Sequence, residues 1–159
     1  MGYLQLLLLL IAANGAPILG RLLLGKRWAT PIDRGMTFAD DRPLLGNSKT
    51  YRGLAFGVVI PGLVAEVLAL PFEIGLLMGG LAMCGDCLSS FLKRRFGLSS
   101  GAMAFGLDQI PESVFPLIGV KSIFHLTGTD IVWLGMIFIL LELGLSFFFY
   151  KLHLRKHPY

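Results

Sequence analysis

Asp86, Ser90, Lys93 and Arg94 lie where apolar sequence gives way to charge: the run Phe72 to Met83 continues as Gly85-Asp86-Cys87-Leu88-Ser89-Ser90-Phe91-Leu92-Lys93-Arg94-Arg95. On a helix these four residues stand at i, i+4, i+7 and i+8, on one face. A carboxylate inside a membrane span costs roughly 2.5–3.5 kcal/mol on insertion scales, so by default it marks a site. A carboxylate, a hydroxyl and two cations sharing a face at the water boundary suit a metal-bound polyphosphate.

A second carboxylate, Asp108, falls in Gly106-Leu107-Asp108-Gln109-Ile110-Pro111-Glu112, just before a proline suited to a helix's first turn. Irregular backbone at membrane depth is tolerated where it lines a cavity or is buried in protein, and Gly97, Gly101 and Gly106 mark such an entry. Asp86 and Asp108 facing one cavity would hold Mg²⁺, which takes one or two carboxylates plus substrate phosphates. The competing reading makes Asp108 a helix cap. Glu112, four residues on, could share Asp108's face as a supporting group or a helix-terminal charge. Glu66 and Glu142 are weaker candidates, and Asp33, Asp40, Asp41 and Asp130 read as solvated loop acids.

The third element is Gly46-Asn47-Ser48-Lys49-Thr50-Tyr51-Arg52-Gly53. Glycine admits close backbone approach, N–H groups at a helix start favour anions, and Lys49 and Arg52 suit phosphate. The segment lacks the G-x-x-x-x-G-K-[ST] spacing and the preceding strand of a P-loop. Its cations could equally set topology or touch anionic headgroups. Asn14-Gly15-Ala16-Pro17 is expected to break the first apolar segment, with Asn14 as a polar wall of the same cavity. Cys84 and Cys87 read as small apolar residues rather than a redox or zinc pair, since a second cysteine pair is missing.

The elements that must position these residues are apolar helices. The 159-residue chain is 55% hydrophobic and 15% charged, with 20 glycines, and its mean hydropathy is +0.72. Soluble domains carry roughly 25% charge, so the fold class is an all-α integral membrane protein. Five segments approach the roughly 20 residues needed to span the hydrocarbon core: Tyr3–Leu24, Leu54–Leu70, Phe72–Leu92, Pro111–Leu126 and Ile131–Tyr150. The first is expected to be a mature helix, because a positive n-region is lacking.

Lys26, Arg27, Arg34, Arg42, Lys49, Arg52, Lys93, Arg94, Arg95, Lys151, Arg155 and Lys156 all fall on one side if the N-terminus is outside. The positive-inside rule then gives an outside N-terminus and a cytoplasmic C-terminus. Residues 1–159 form one transmembrane domain with a basic cytoplasmic loop at 25–53, and a nucleic-acid partner is not expected.

These motifs resemble the CDP-archaeol synthase family over nearly the whole chain. The likeness rests on Ala13-Asn14 with Pro17, Pro31-x-Asp33-x-Gly35, Gly46-x-x-Lys49-Thr50-x-Arg52-Gly53, Gly85-Asp86 with Ser90-Phe91-x-Lys93-Arg94, and Asp108-Gln109. Parts are also similar to the larger phosphatidate cytidylyltransferases, although the His-Gly-Gly before their aspartate is absent and Gln109 stands where they carry Arg. The resemblance implies a CTP-dependent cytidylyltransferase of the cell membrane. It would act on a lipid phosphate from the inner leaflet, either 2,3-bis-O-geranylgeranylglycerol phosphate or a diacyl phosphatidate. Asp86 and Asp108 would hold Mg²⁺, and Lys93 and Arg94 the phosphates of CTP. Lys49, Thr50 and Arg52 would orient triphosphate or lipid head, with Asn14 and Ser90 as further contacts. Two rivals remain: a small cation or solute transporter using the membrane-level acids, and a CDP-alcohol phosphotransferase, whose D-G-x-x-A-R motif is missing.

Overall fold

The computed structural model describes residues 2–102 and 104–151, the last five of these by their backbone alone. Five helices follow in order: α1 (Gly2–Leu24), α2 (Tyr51–Val67), α3 (Phe72–Arg95), α4 (Gln109–Gly119) and α5 (Gly128–Lys151). Among the described residues the only β structure is two isolated bridges, Pro31 with Thr50 and Thr37 with Pro43. The chain is thus all-helical, as expected. Three segments are long and apolar enough to cross a membrane: Gly2–Leu24, Phe72–Arg95 and Gly128–Ser146. The basic tail at Arg155 and Lys156 lies outside the described residues.

Two expectations need correction. Pro17 does not break the first helix; α1 runs through it. The Asn14 side-chain amide donates back to the Leu10 carbonyl at 2.9 Å, so it serves its own helix. The fourth apolar segment is helical for only 11 residues, about 16 Å at 1.5 Å per residue. The chain then turns at Val120 to Phe124, where amide groups bond carbonyls three or four residues back.

Consecutive helices run antiparallel, and glycine sets how closely they approach. A Cβ at Gly75 would overlap the Pro61 carbonyl and one at Gly79 the Gly57 carbonyl, so α2 and α3 meet backbone to backbone. Small residues four apart allow this when lipid removes the hydrophobic drive for helix association. A Cβ at Gly85 would overlap the Pro111 carbonyl and the Glu112 nitrogen, giving α3 and α4 the same intimacy. At the end remote from the basic loop, Gln5 donates to the Leu68 carbonyl at 2.8 Å and Tyr3 to Asp130 at 2.9 Å. The larger core, including Leu6, Leu9, Leu10, Met78, Leu117, Leu134 and Phe138, is biased toward that end. A smaller cluster of Ala13, Ala82 and Met83 lies nearer the loops.

The loop between α1 and α2 is organised by Asp33, which the sequence marks as solvated and the structure buries at 2% exposure. Its carboxylate accepts N–H groups from Gly35 at 3.1 Å, Leu45 at 2.9 Å and Gly46 at 2.8 Å. Burial pushes this carboxyl up, but the backbone donors outweigh it and hold Asp33 below its ordinary value of 3.8. The bond to Gly46, in left-handed backbone at φ 91°, fixes where the following Ser48-Lys49-Thr50 begins. Asp33→Asn is expected to cost about 1–3 kcal/mol, because an amide cannot accept all three donors. The wild-type carboxylate contributes this stability above about pH 3.9, its unfolded value. It loses it as pH falls through the lower folded value. Thermal unfolding in detergent should therefore show a gap between wild type and variant near pH 6 that closes in acid. A gap persisting far below pH 3 would contradict the assignment.

Candidate functional site

A cavity of about 70 Å³ opens where α1, α2, α3 and the first loop meet. Pro17 of α1, Ile32, Ser48, Lys49 and Thr50 of the loop, Gly53 and Leu54 of α2, and Met83, Asp86 and Cys87 of α3 line it. Its volume equals about two waters at roughly 30 Å³ each. It fits a phosphate-sized group rather than a whole nucleotide.

Asp86 and Lys49 are joined across the pocket as an ion pair through Asp86 Oδ1 and Lys49 Nζ, both less than one-fifth exposed. Burial alone would lower the lysine's pKa. The attraction and hydrogen bond of Asp86, followed by the field of Glu112, override it, so Lys49 titrates above its ordinary 10.5 and stays charged. Thr50 caps α2: its Oγ1 accepts the Gly53 N–H at 3.2 Å. Asp86, Lys49 and Thr50 are therefore brought together as the motifs suggest.

Asp108, Lys93 and Arg94 form an adjoining cluster around the loop that joins α3 to α4. Lys93 pairs with Asp108 at 2.7 Å and donates to the Ala102 carbonyl at 2.9 Å. Arg94 donates to the Ser99 carbonyl at 2.6 Å. Asp108 accepts the Ala104 N–H at 3.0 Å and makes no side-chain cap for α4, which sets aside the capping reading. Asp108 is not among the residues lining the pocket. The two clusters touch through the 46–49 segment: Ser48 N donates to Ser100 Oγ at 3.2 Å, and a Cβ at Gly46 would press on Ser100 Oγ and approach Arg94.

The remaining candidates sit apart from the cavity. Arg52 is buried at 6% exposure and ties off the end of α1, donating to the Arg27 carbonyl at 3.1 Å and to the Gly25 carbonyl. Ser90 is buried in α3 and, like Asn14, does not line the cavity. Glu66 is exposed on the last turns of α2, toward the opposite end.

Sequence reasoning missed three partnerships. Arg95 pairs with Asp40 at 2.7 Å and lies over the rings of Phe38 at 5.0 Å and Phe91 at 4.9 Å, so Asp40 is not merely solvated. Arg42 and Arg95 exchange backbone contacts: Arg42 Nη1 donates to the Arg94 carbonyl at 3.4 Å and Arg95 Nη2 to the Pro43 carbonyl at 2.6 Å. Glu112 is 6% exposed, and its carboxyl is within hydrogen-bonding reach of Asp86, with Glu142 of α5 close enough to act on it. None carries a local signal, because each joins residues far apart in sequence.

The donor set suits a hard cation bound with phosphate: Asp86 and Asp108 offer oxygen ligands beside lysines that can take anions. Among the described residues there is no group of three or more His, Cys, Asp or Glu able to hold a metal unaided. This fits Mg²⁺, which leaves much of its coordination to substrate and water.

Comparison with known proteins gives a consistent result. The family model CarS-like, CDP-archaeol synthase, matches residues 3–74 and 67–159. The CDP-archaeol synthase of Pyrobaculum arsenaticum is 32% identical over 155 residues, 92% of this chain and 91% of that protein. That of Saccharolobus solfataricus is 34% identical over 127 residues, 77% of this chain and 72% of the relative. The match to the Hyperthermus butylicus protein is 42% identical over 106 residues and spans 63% of this chain but only 60% of that relative. A solved structure described as an intramembrane enzyme for archaeal membrane lipid biosynthesis superposes with a TM-score of 0.69 at 26% identity, covering 87% of this chain and 91% of that one. These matches give the transporter alternative no support. Matched along its length by the family model and over nine-tenths of it by a named relative, the chain belongs to the CDP-archaeol synthase family.

Proposed function

We propose that this chain transfers CMP from CTP to a lipid phosphate in the membrane, giving a CDP-lipid and pyrophosphate. The observation that carries this reading is the pairing of each motif carboxylate with a motif lysine, Asp86 with Lys49 and Asp108 with Lys93. A metal-bound triphosphate brings a cation and anions together, so both pairs can exchange partners without leaving a charge unpaired. Lys49 and Lys93 would turn to phosphate oxygens, and Asp86 and Asp108 would hold Mg²⁺. The ion supplies neutralisation of charge on the departing pyrophosphate.

An oxygen of the lipid phosphate attacks the α-phosphorus of CTP as the bond to the bridging oxygen of pyrophosphate breaks. A general base is not needed, since the lipid phosphate is already anionic near pH 7. The protein's part is positioning and charge stabilisation, which dominate phosphoryl-group chemistry. Arg94, one residue beyond Lys93 and beside Gly46, would add a second cation for the triphosphate. Thr50 presents the start of α2 to the pocket, where free N–H groups favour an anion. Arg52, Ser90 and Asn14 support the site from behind in this reading: Arg52 ties off α1, while Ser90 and Asn14 lie within α3 and α1.

The basic residues of the first loop and of the end of α3 meet at one end of the bundle. The positive-inside rule places that end in the cytoplasm, with the N-terminus outside, the C-terminus inside and five passes. The fourth pass is completed by the turns flanking the short α4. CTP then arrives from the cytoplasm and the lipid phosphate from the inner leaflet. The family's printed product makes an ether-linked isoprenoid phosphate, 2,3-bis-O-geranylgeranylglycerol phosphate, the preferred acceptor.

Pyrophosphate release by purified protein with Mg²⁺, each of the four nucleoside triphosphates and either an isoprenoid or a diacyl lipid phosphate tests the reading. Release is expected with CTP and the isoprenoid lipid. Asp86→Asn is expected to abolish it, and Lys93→Met to lower kcat/KM by at least about a hundredfold, the usual loss for one transition-state donor. Folded protein that releases nothing with any pair would overturn the proposal.

A further inference from the structure

We propose that Glu112 is a positioning residue that holds the Asp86 carboxylate in its working orientation, an inference that rests on the reading of Asp86 as a metal-holding group given above. Three observations carry it. At Gly85 the backbone of α3 lies against the Pro111 carbonyl and the Glu112 nitrogen, so closely that any side chain there would overlap them. This contact fixes the Glu112 backbone one residue from Asp86. The Glu112 carboxyl is within hydrogen-bonding reach of Asp86, and its residue is 6% exposed. Finally, Asp86 and Lys49 line the pocket and Glu112 does not, so Glu112 acts on the pocket through Asp86.

The arrangement grips Asp86 from two sides. Lys49 holds Oδ1 from the loop, while Glu112 reaches it from α4. When Lys49 turns to a phosphate, the grip from Glu112 remains and keeps the carboxylate aimed into the pocket. Partners of this kind typically change metal affinity or activity by about 10–100-fold when removed. The Gly85 contact explains why a helix as short as α4 is seated so firmly: its first turn serves as the backstop for the pocket's acid.

The test is Mn²⁺ binding measured by electron paramagnetic resonance on the purified full chain in detergent with CTP present, for wild type and for Glu112→Leu, Glu112→Asp, Glu112→Gln and Asp86→Asn. Glu112→Leu and Glu112→Asp are expected to weaken Mn²⁺ by about tenfold or more, the second because it is one methylene too short. Glu112→Gln keeps the reach and a group that can donate to Asp86, so it should bind close to wild type. If Glu112→Leu does not fold, Glu112→Asp decides. Unchanged binding in Glu112→Asp, with binding lost in Asp86→Asn, would overturn the inference and leave the Asp86 reading standing. A loss in Glu112→Gln as large as in Glu112→Asp would overturn it too, by making Glu112 a direct ligand. Binding that survives Asp86→Asn would remove the Asp86 reading, and this inference with it.

Discussion

A carboxylate set into an apolar helix must find a counter-charge, and in this chain lysines supply it. Unpaired charge in a low-dielectric surround costs several kcal/mol or more. Asp86 is met by Lys49 of the first loop, and Asp108 by Lys93 of the preceding helix. Much of the local architecture follows from the need to deliver those partners. Asp33 orders the first loop by taking three of its N–H groups, which sets Gly46 and hence Lys49. The glycine contacts of α3 with α2 and α4 bring the helix carrying Asp86 within reach of both neighbours.

The two ends of the bundle are stabilised differently. Away from the basic loop, leucines, methionine and phenylalanine make a close-packed interior. At the loop end, buried arginines and lysines are satisfied by main-chain carbonyls: Arg52 by the end of α1, Lys93 and Arg94 by the α3–α4 loop, and Arg95 by the first loop. These are polar contacts that a phosphate oxygen can replace in kind, since a carbonyl and a phosphate both accept hydrogen bonds. One set of cations can therefore hold the loops and engage an anionic substrate.

Hydropathy made the helices legible, because a membrane span announces itself by length. It misjudged α4, since the turns after Gly119 are as apolar as the helix and nothing in composition separates them. Motif spacing found Asp86, Lys93, Arg94 and Lys49, and the structure places them in two adjoining clusters. It could not show that Asp108 stands off the pocket behind Lys93. Asp33 was misread because an acid in a basic loop resembles a solvated one; its burial depends on Leu45 and Gly46 folding back over it. Glu112 was seen as Asp108's neighbour along α4, while its contact with Asp86 depends on an interhelical crossing at Gly85 that local sequence does not encode. Family resemblance was legible from the ordered motifs, and the comparisons bear it out.

The central claim is that the Lys49–Asp86 pair exists to be exchanged for a metal-bound triphosphate rather than to brace the fold. A double-mutant cycle on CTP affinity in the presence of Mg²⁺, with Lys49→Met, Asp86→Asn and the combined variant, tests it most directly. The account predicts that each single change weakens binding and that the combined, charge-neutral variant is at least as weak as the poorer single one. A combined variant that binds CTP as tightly as wild type would show the pair to be structural and contradict the account.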